Sequence, residues 1–455
     1  MKQQSLQKNR LSVLTERVTL GGLLLGMSLT AMSMDLMQAY DAAKTQDANI
    51  LAARAAAQAG RERVPQARAQ LLPNVAFNVT GNKNQLSSTS TDFLGQEQTI
   101  ETYYPSSNQT LSARQPLYRP QLQAQYRQAQ AQVKESEALL QQEEQALIVR
   151  VSGFYFEALA AGEQLELVLA QRATVTTQLD AARKIFAAGS GVRTDVDEAL
   201  ARLDMTLALE IEARQNVNYT LEQLQTMVRQ PVEKLATLSA SKFSQIDPKL
   251  ERLDDWTEKA ERVNPQLQAL KAQVEIAGFE VEKARAGHKP TLDAVAQWSR
   301  SDSESVTNLR SSYTNAVIGL QLNIPIFSGG SVNSAIRQAL ANQDRAEQAY
   351  EAARRDLALR VHKEFRAVTD SGPKIKALEQ AIRSSDQLVL SSRKSFQAGG
   401  RTLVDVANAK QQRLIVMRDL AQTRYLYLIS KLRLQSLAGV IDEVAVADVN
   451  SLLQH

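Results

Sequence analysis

The chain is internally duplicated, and a duplication limits the possible folds more than any local propensity does, because one supersecondary unit must occur twice and share its core. Three anchors occur in the same order in both halves. Val64-Pro65-Gln66-Ala67-Arg68-Ala69 with Pro73 answers to Val281-Glu282-Lys283-Ala284-Arg285-Ala286 with Pro290. Gln115-Pro116-Leu117-Tyr118 answers to Ile324-Pro325-Ile326-Phe327, and Arg127-Gln128-Ala129 follows the first as Arg337-Gln338-Ala339 follows the second. Arg183-Lys184, Phe186, Ala188-Gly189 and Asp195-Val196 match Arg393-Lys394, Phe396, Ala398-Gly399 and Asp405-Val406 at one constant offset. Alanine-rich helices resemble one another by composition alone, but that does not explain matching Gly and Pro at the ends of elements. Pro231, Pro248 and the polar stretch between them break the pattern midway. We therefore expect repeats over 34–240 and 241–440, with 441–455 as a C-terminal tail.

Helical periodicity runs unusually far in each repeat. Leu122, Tyr126, Ala129, Val133, Leu140, Leu147, Val151, Phe154, Ala158 and onward to Phe186 keep the four-three spacing of helix-on-helix packing. A helix from Gln121 to Ala188 would be about 100 Å long, beyond any globular core. The stripe resumes at Val196 and continues to Val228, so the chain turns near 189–195, at Gly189 and Gly191, and runs back. A second hairpin turns near 399–405, at Gly399-Gly400, and returns through Leu403, Leu414 and Leu428.

Between the first and second anchors of each repeat the period changes to two, which is the pattern of a strand pair, at about 74–118 and about 291–327. Val75, Phe77 and Val79 alternate with Asn74, Asn78 and Thr80. Leu292, Ala294, Ala296 and Trp298 share one face of their strand, and Ile318, Leu320, Leu322, Ile324 and Ile326 share one face of the next. Each run approaches the roughly 9 to 11 residues with which a tilted strand crosses a bilayer. Tyr103, Tyr104, Tyr118, Tyr313 and Phe327 are the candidate interfacial aromatics. Each strand alone fits an ordinary sheet as well; four at duplicated positions favour a barrel. Four strands cannot close one, because about eight is the practical minimum, so several chains must pool theirs.

Val18 to Met32 is an apolar run behind basic residues, ending in the small-residue pattern Ala31-Met32-Ser33. We read residues 1–33 as a signal peptide rather than a membrane anchor, since the run is shorter than the roughly 20 residues of a spanning helix. It carries +3 of the formal +4 charge, leaving +1 elsewhere, so there is no electrostatic case for nucleic acid. The absence of Cys excludes disulfides, thiolate chemistry and lipidation at a Cys behind the leader.

With these features the chain resembles the TolC-like outer-membrane channels of Gram-negative export systems, over most of Asp35 to Val440. The resemblance rests on Gln115-Pro116-Leu117-Tyr118, on Ile324-Pro325-Ile326-Phe327-Ser328-Gly329-Gly330, and on the paired turns FAAGSGVRTDV and FQAGGRTLVDV. It implies a mainly α chain with a membrane β-barrel segment: a homotrimer whose four strands per chain make a twelve-stranded β-barrel continuous with a long α-helical periplasmic barrel. It also implies an outer-membrane location, a periplasmic adaptor, an inner-membrane ABC transporter or other pump, and no enzyme activity. In that family the helical turns hold the periplasmic aperture shut. Thr194, Asp195 and Arg401 match gate positions, with Arg401 placed to bridge toward Asp195 or Thr194, and Asp405 matches an acidic ring. Two positions depart from the pattern: Phe396 stands where the best-known members carry Tyr, and Asn408 where a second acidic residue is often found. Read from the residues alone, these charges solvate a helical turn.

No catalytic constellation emerges. Glu143-Glu144 and Asp254-Asp255 lack a nearby nucleophile or His, His362 and Glu364 lack ligand spacing, and Gly329-Gly330 lacks the Lys-Ser/Thr of a phosphate loop. We expect no cofactor or metal. The leading function is an export duct for polypeptide in type I secretion. Small-molecule efflux is the first alternative, and a periplasmic coiled-coil scaffold or adaptor is an alternative of another class. The missing lipidation Cys favours the secretion branch.

Overall fold

A computed structural model describes residues 33–243, 252–304 and 310–454. The leader expected at 1–33, all but its last residue, and Pro248 lie outside the described residues.

Three short helices come first among the described residues: α1 (Leu36–Gln46), α2 (Ala48–Arg61) and α3 (Arg63–Ala69). Asp35 and Gln38 form a reciprocal capping box on α1, and Asp47 caps α2 by accepting from Asn49 N and Ile50 N, both at 3.0 Å. Strands β1 (Asn74–Thr91) and β2 (Glu97–Tyr118) follow, then helix α4 (Pro120–Ala187) of 68 residues and its return partner α5 (Arg193–Val228). Pro120 suits a first helical turn, where its missing N–H has no intrahelical acceptor to lose. Short pieces β3 (Thr237–Leu238), α6 (Ala240–Phe243) and α7 (Leu253–Val263) lead to α8 (Pro265–Arg285). The pattern then repeats with β4 (Thr291–Glu304), β5 (Arg310–Asn323), the 67-residue α9 (Ser331–Gln397) and α10 (Leu403–Leu437). Pro373 lies inside α9, where it cannot donate to the carbonyl four residues back. No helix among the described residues is long and apolar enough to cross a membrane.

The main core lies midway along the helices. Tyr155 and Phe156 of α4 are fully buried there. The Tyr155 hydroxyl donates toward Met34 O (3.0 Å) and Ala236 O (2.9 Å), tying the segment before α1 and the stretch before β3 to α4. Burial raises the Tyr155 pKa, so this hydroxyl remains a donor. Phe156 stacks on Tyr425 of α10. Residues set apart as a tail form helix α11 (Glu443–Asn450) and strand β6 (Leu453–Gln454), which pairs with β3, and bury Val446, Val449 and Leu453 in the same core. The point chosen as the repeat boundary, 240/241, falls inside α6, whose Phe243 is buried edge-on against Tyr427. Val232, Ala236 and Phe243 of this stretch are buried in the same core.

The four long strands make one antiparallel sheet in the order β1-β2-β4-β5, so β2 of one half lies beside β4 of the other. The strands have 18, 22, 14 and 14 residues, longer than expected. The extra length in β1 and β2 is a two-stranded ribbon, from Lys83 opposite Pro105 to Thr91 opposite Glu97, whose polar side chains give no hydrophobic period to detect. Its turn is closed by Asp92, whose carboxylate accepts from Leu94 N (2.8 Å) and Gln96 N (3.0 Å), with Gly95 at positive φ. At the other end β5 stops at Asn323, so Ile324 to Phe327, expected in the strand, lie beyond it. Pro325 explains the stop, because it has no N–H for a ladder.

Candidate functional site

The sheet register carries one apolar face across all four strands. Residues directly opposite one another point to the same side. Phe77 faces Leu111, Leu111 faces Trp298 and Trp298 faces Ala316; Leu292, Ala294 and Ala296 face Leu322, Leu320 and Ile318. This face is uncovered: Ile318 is 88% exposed, Leu320 69% and Leu322 60%. An open apolar face of this extent on a single chain marks a surface made for lipid or protein. Ile324 adds an exposed side chain just past the strand. Of the expected aromatics, Tyr118 lies on this face opposite Leu292, whereas Tyr313 pairs with Ser301 on the polar face and Tyr103 and Tyr104 stand in the ribbon. Edges β1 and β5 have no partner among the described residues.

About 100 Å of helix separates this sheet from the two helical turns. The turns have one backbone design. Gly189 N donates to Phe186 O (2.9 Å) and Ser190 N to Ile185 O (3.2 Å); Gly399 N donates to Phe396 O (3.0 Å) and Gly400 N to Ser395 O (2.8 Å). Gly189 and Gly399 sit at φ +76° and +75°, the left-handed conformation that ends a helix and that glycine adopts without Cβ strain. Gly191 and Gly400 complete the turns.

The turns stand side by side around a cavity of about 220 Å³, whose lining includes Gly191, Asp195, Glu198, Arg202, Phe396 and Thr402. Thr194 and Asp195 are exposed in the first turn of α5. Asp405, in the first turn of α10, accepts from Thr402 N (2.9 Å) and Thr402 Oγ1 (2.8 Å), while Asp405 N donates to Thr402 Oγ1 (3.2 Å). These bonds, with Arg401 nearby, hold the Asp405 carboxyl below its ordinary pKa. Arg401 does not reach Asp195 or Thr194 within the chain; its guanidinium donates to the fully buried Ser392 Oγ at 2.6 Å. Near the tips a polar link between the hairpins is made instead by Arg202 of α5, which donates to Asn408 Oδ1 (3.0 Å) and, within α5, to Glu198 Oε1 (2.7 Å). Sequence reasoning missed Arg202 and Ser392. The Glu198–Arg202 spacing was a readable signal for a helix-surface pair, but the bridge to Asn408 depends on how two hairpins pack.

Comparison with known proteins fits this geometry. The family described as outer membrane efflux protein matches residues 39–228 and 256–440. The chain belongs to that family. It is 32% identical to the alkaline protease secretion protein AprF of Pseudomonas aeruginosa over 93% of this chain and 88% of that one. It is 30% identical to the proteases secretion protein PrtF of Dickeya chrysanthemi (91% and 90% covered) and 28% identical to the outer membrane protein TolC of Escherichia coli (95% and 88%). Among solved structures, the Campylobacter jejuni CmeC outer membrane channel has the same fold, with a TM-score of 0.75 at 16% identity over 92% of this chain and 89% of that one. As a member of the outer membrane efflux protein family the protein is an efflux or secretion channel of the Gram-negative outer membrane that extends into the periplasm, and trimeric assembly is typical of the family. The match is to channels and indicates no catalytic family, and the coiled-coil scaffold alternative falls away.

Proposed function

We propose that this protein is the outer-membrane exit duct of a type I secretion system, passing polypeptide from an inner-membrane ABC transporter and a periplasmic adaptor to the outside. Three copies, each pairing β5 with β1 of the next, supply twelve strands from the four in each chain. Closure satisfies the backbone groups of both edges, which lipid cannot do. Leu292, Trp298, Ile318, Leu320 and Leu322, with Ile324 at the rim, then form the lipid face. Residues 34–240 and 241–440 act as two repeats that each contribute a strand pair and a helical hairpin to the wall. Thr194, Asp195, Phe396, Arg401, Asp405 and Asn408 ring the periplasmic entrance, on turns made by Gly189, Gly191, Gly399 and Gly400. Except for the Arg401 bond to buried Ser392, their contacts are exposed; exposed ion pairs are worth about 0 to 1 kcal/mol each, weak enough for a docking partner to overcome and adequate when repeated by symmetry.

The observation that carries polypeptide export is the resemblance, over more than nine-tenths of the chain, to AprF and PrtF, both named for protease secretion. The second reading is small-molecule efflux, favoured by the outer membrane efflux protein BepC of Brucella suis at 24% identity over 68% of the chain. Comparing the culture medium of a deletion strain with that of its complemented parent separates the two. Loss of one or a few large polypeptides is expected. An unchanged secretome with new sensitivity to small toxic compounds would replace secretion with efflux.

A further inference from the structure

The polar face of the sheet is nearly free of charge. Above Arg114 its rungs present side chains such as Ser112, Gln297, Thr110, Ser299 and Asn315, and none of the described residues on that face carries a charge there. The base differs. Asp293 of β4, only 2% exposed, accepts from Arg114 Nε of β2 (3.0 Å) and from Arg119 Nε, just ahead of α4 (2.8 Å). The two guanidiniums bracket one carboxylate and leave one positive charge in excess. Arg114 holds it toward the open face, with half of its side chain exposed (51%) while its inner edge is pinned.

The second repeat has no such group. Asn323 stands at the rung equivalent to Arg114 and Ser328 at the place of Arg119. The excess charge therefore occurs once per chain. We propose that Arg114, fixed by Asp293, forms with its symmetry copies a positive ring at the base of the barrel lumen, a binding site for anionic stretches of the polypeptide in transit. This rests on the channel reading above, in which the polar face lines the lumen. A narrow passage with low-dielectric walls focuses the field of fixed charge, so a few arginines in a neutral lining set the ion preference of the whole section. Guanidinium is also suited to carboxylate, which it meets with two parallel donors. The Asp293 contact prevents Arg114 from folding away and leaves part of the guanidinium free.

The test uses the full-length trimer in planar bilayers under a KCl gradient, with decaglutamate as the probe added on the outer side. Arg114→Gln is expected to lower the chloride-to-potassium permeability ratio by about twofold and to weaken decaglutamate block by at least as much. Arg114→Lys keeps the ratio near that of the parent. Ser112→Glu, one rung higher and clear of the Asp293 contacts, lowers the ratio even if the Gln variant fails to assemble. A parent that forms no channel at all defeats the channel reading itself. Assembled Arg114→Gln channels of normal conductance whose permeability ratio and decaglutamate block equal those of the parent overturn the ring, as does a Ser112→Glu channel whose ratio is unchanged.

Discussion

The two helical turns are the same in backbone and different in chemistry. Both close with a left-handed glycine and the same pair of main-chain bonds. At the next positions the first turn has Gly191 and Val192, and the second has Arg401 and Thr402. Val192 gives α5 no side-chain cap, whereas Thr402 and Asp405 form a reciprocal box on α10 and Arg401 ties its turn to buried Ser392. Duplication supplied one geometry; divergence made the second tip fastened and the first loose. We expect the first, joined to its fastened neighbour by the Arg202–Asn408 contact, to be the more mobile of the two tips.

The largest expected effect is on conductance through the proposed entrance. Asp195→Ala with Arg401→Ala raises single-channel conductance severalfold in planar bilayers, and Arg202→Ala alone raises it more than Asp195→Ala alone, because Arg202 spans the hairpins. Equal conductance in all variants and the parent would remove the gate from these residues. Next comes Gly191→Ala. A Cβ there would meet Ile185 Cγ2 and Phe186 N, both at 3.0 Å, whereas at the equivalent place the second turn carries Arg401. We expect a cost of about 1 to 3 kcal/mol, read as faster amide hydrogen exchange over 184–192. Gly400→Ala, whose Cβ would lie 3.6 Å from Ser395 O, changes little.

Exchanging caps tests the contrast directly. Thr402→Ala removes a box worth about 1 kcal/mol and speeds exchange at the start of α10 about fivefold. Val192→Thr places a hydroxyl three residues before Asp195 and so supplies the missing half of a box; it slows exchange at the start of α5 by a similar factor. Exchange that responds at neither site would show that contacts between chains, not caps, set the rigidity of the tips.

Much of this was legible in the sequence. The long helices, both turns and the apolar strand faces follow from period 3.5 and period 2 patterns with glycine at the breaks. Strand order was not legible, because Leu111 opposite Trp298 depends on pairing between the two halves. The ribbon from Lys83 to Pro105 was hidden because polar residues show no hydrophobic alternation. At the tips, sequence marked Arg401 and Asp405 by charge and position. It could not say that Arg401 turns inward to Ser392, since a long side chain chooses among partners that only packing brings within reach.

The smallest effect is on pH. Asp405 accepts from the Thr402 N–H and hydroxyl, bonds the charged carboxylate makes best, so its folded pKa lies below the unfolded one. A depressed pKa means that its contribution is complete above the ordinary carboxylate range and is lost as pH falls from about 4 toward the lowered folded value. Acidification through that window should lower amide protection at the start of α10, read as the exchange rate relative to that of an unstructured peptide at the same pH, and Asp405→Asn should remove most of that response. The start of α5, with Val192 at its cap, has no box to lose and should respond less. Acid thus brings the fastened tip nearer to the loose one, and the difference between their amide protection should narrow as the pH is lowered. A difference unchanged down to pH 3 would mean that Ser392 and Arg401, not the Thr402 box, hold the second tip.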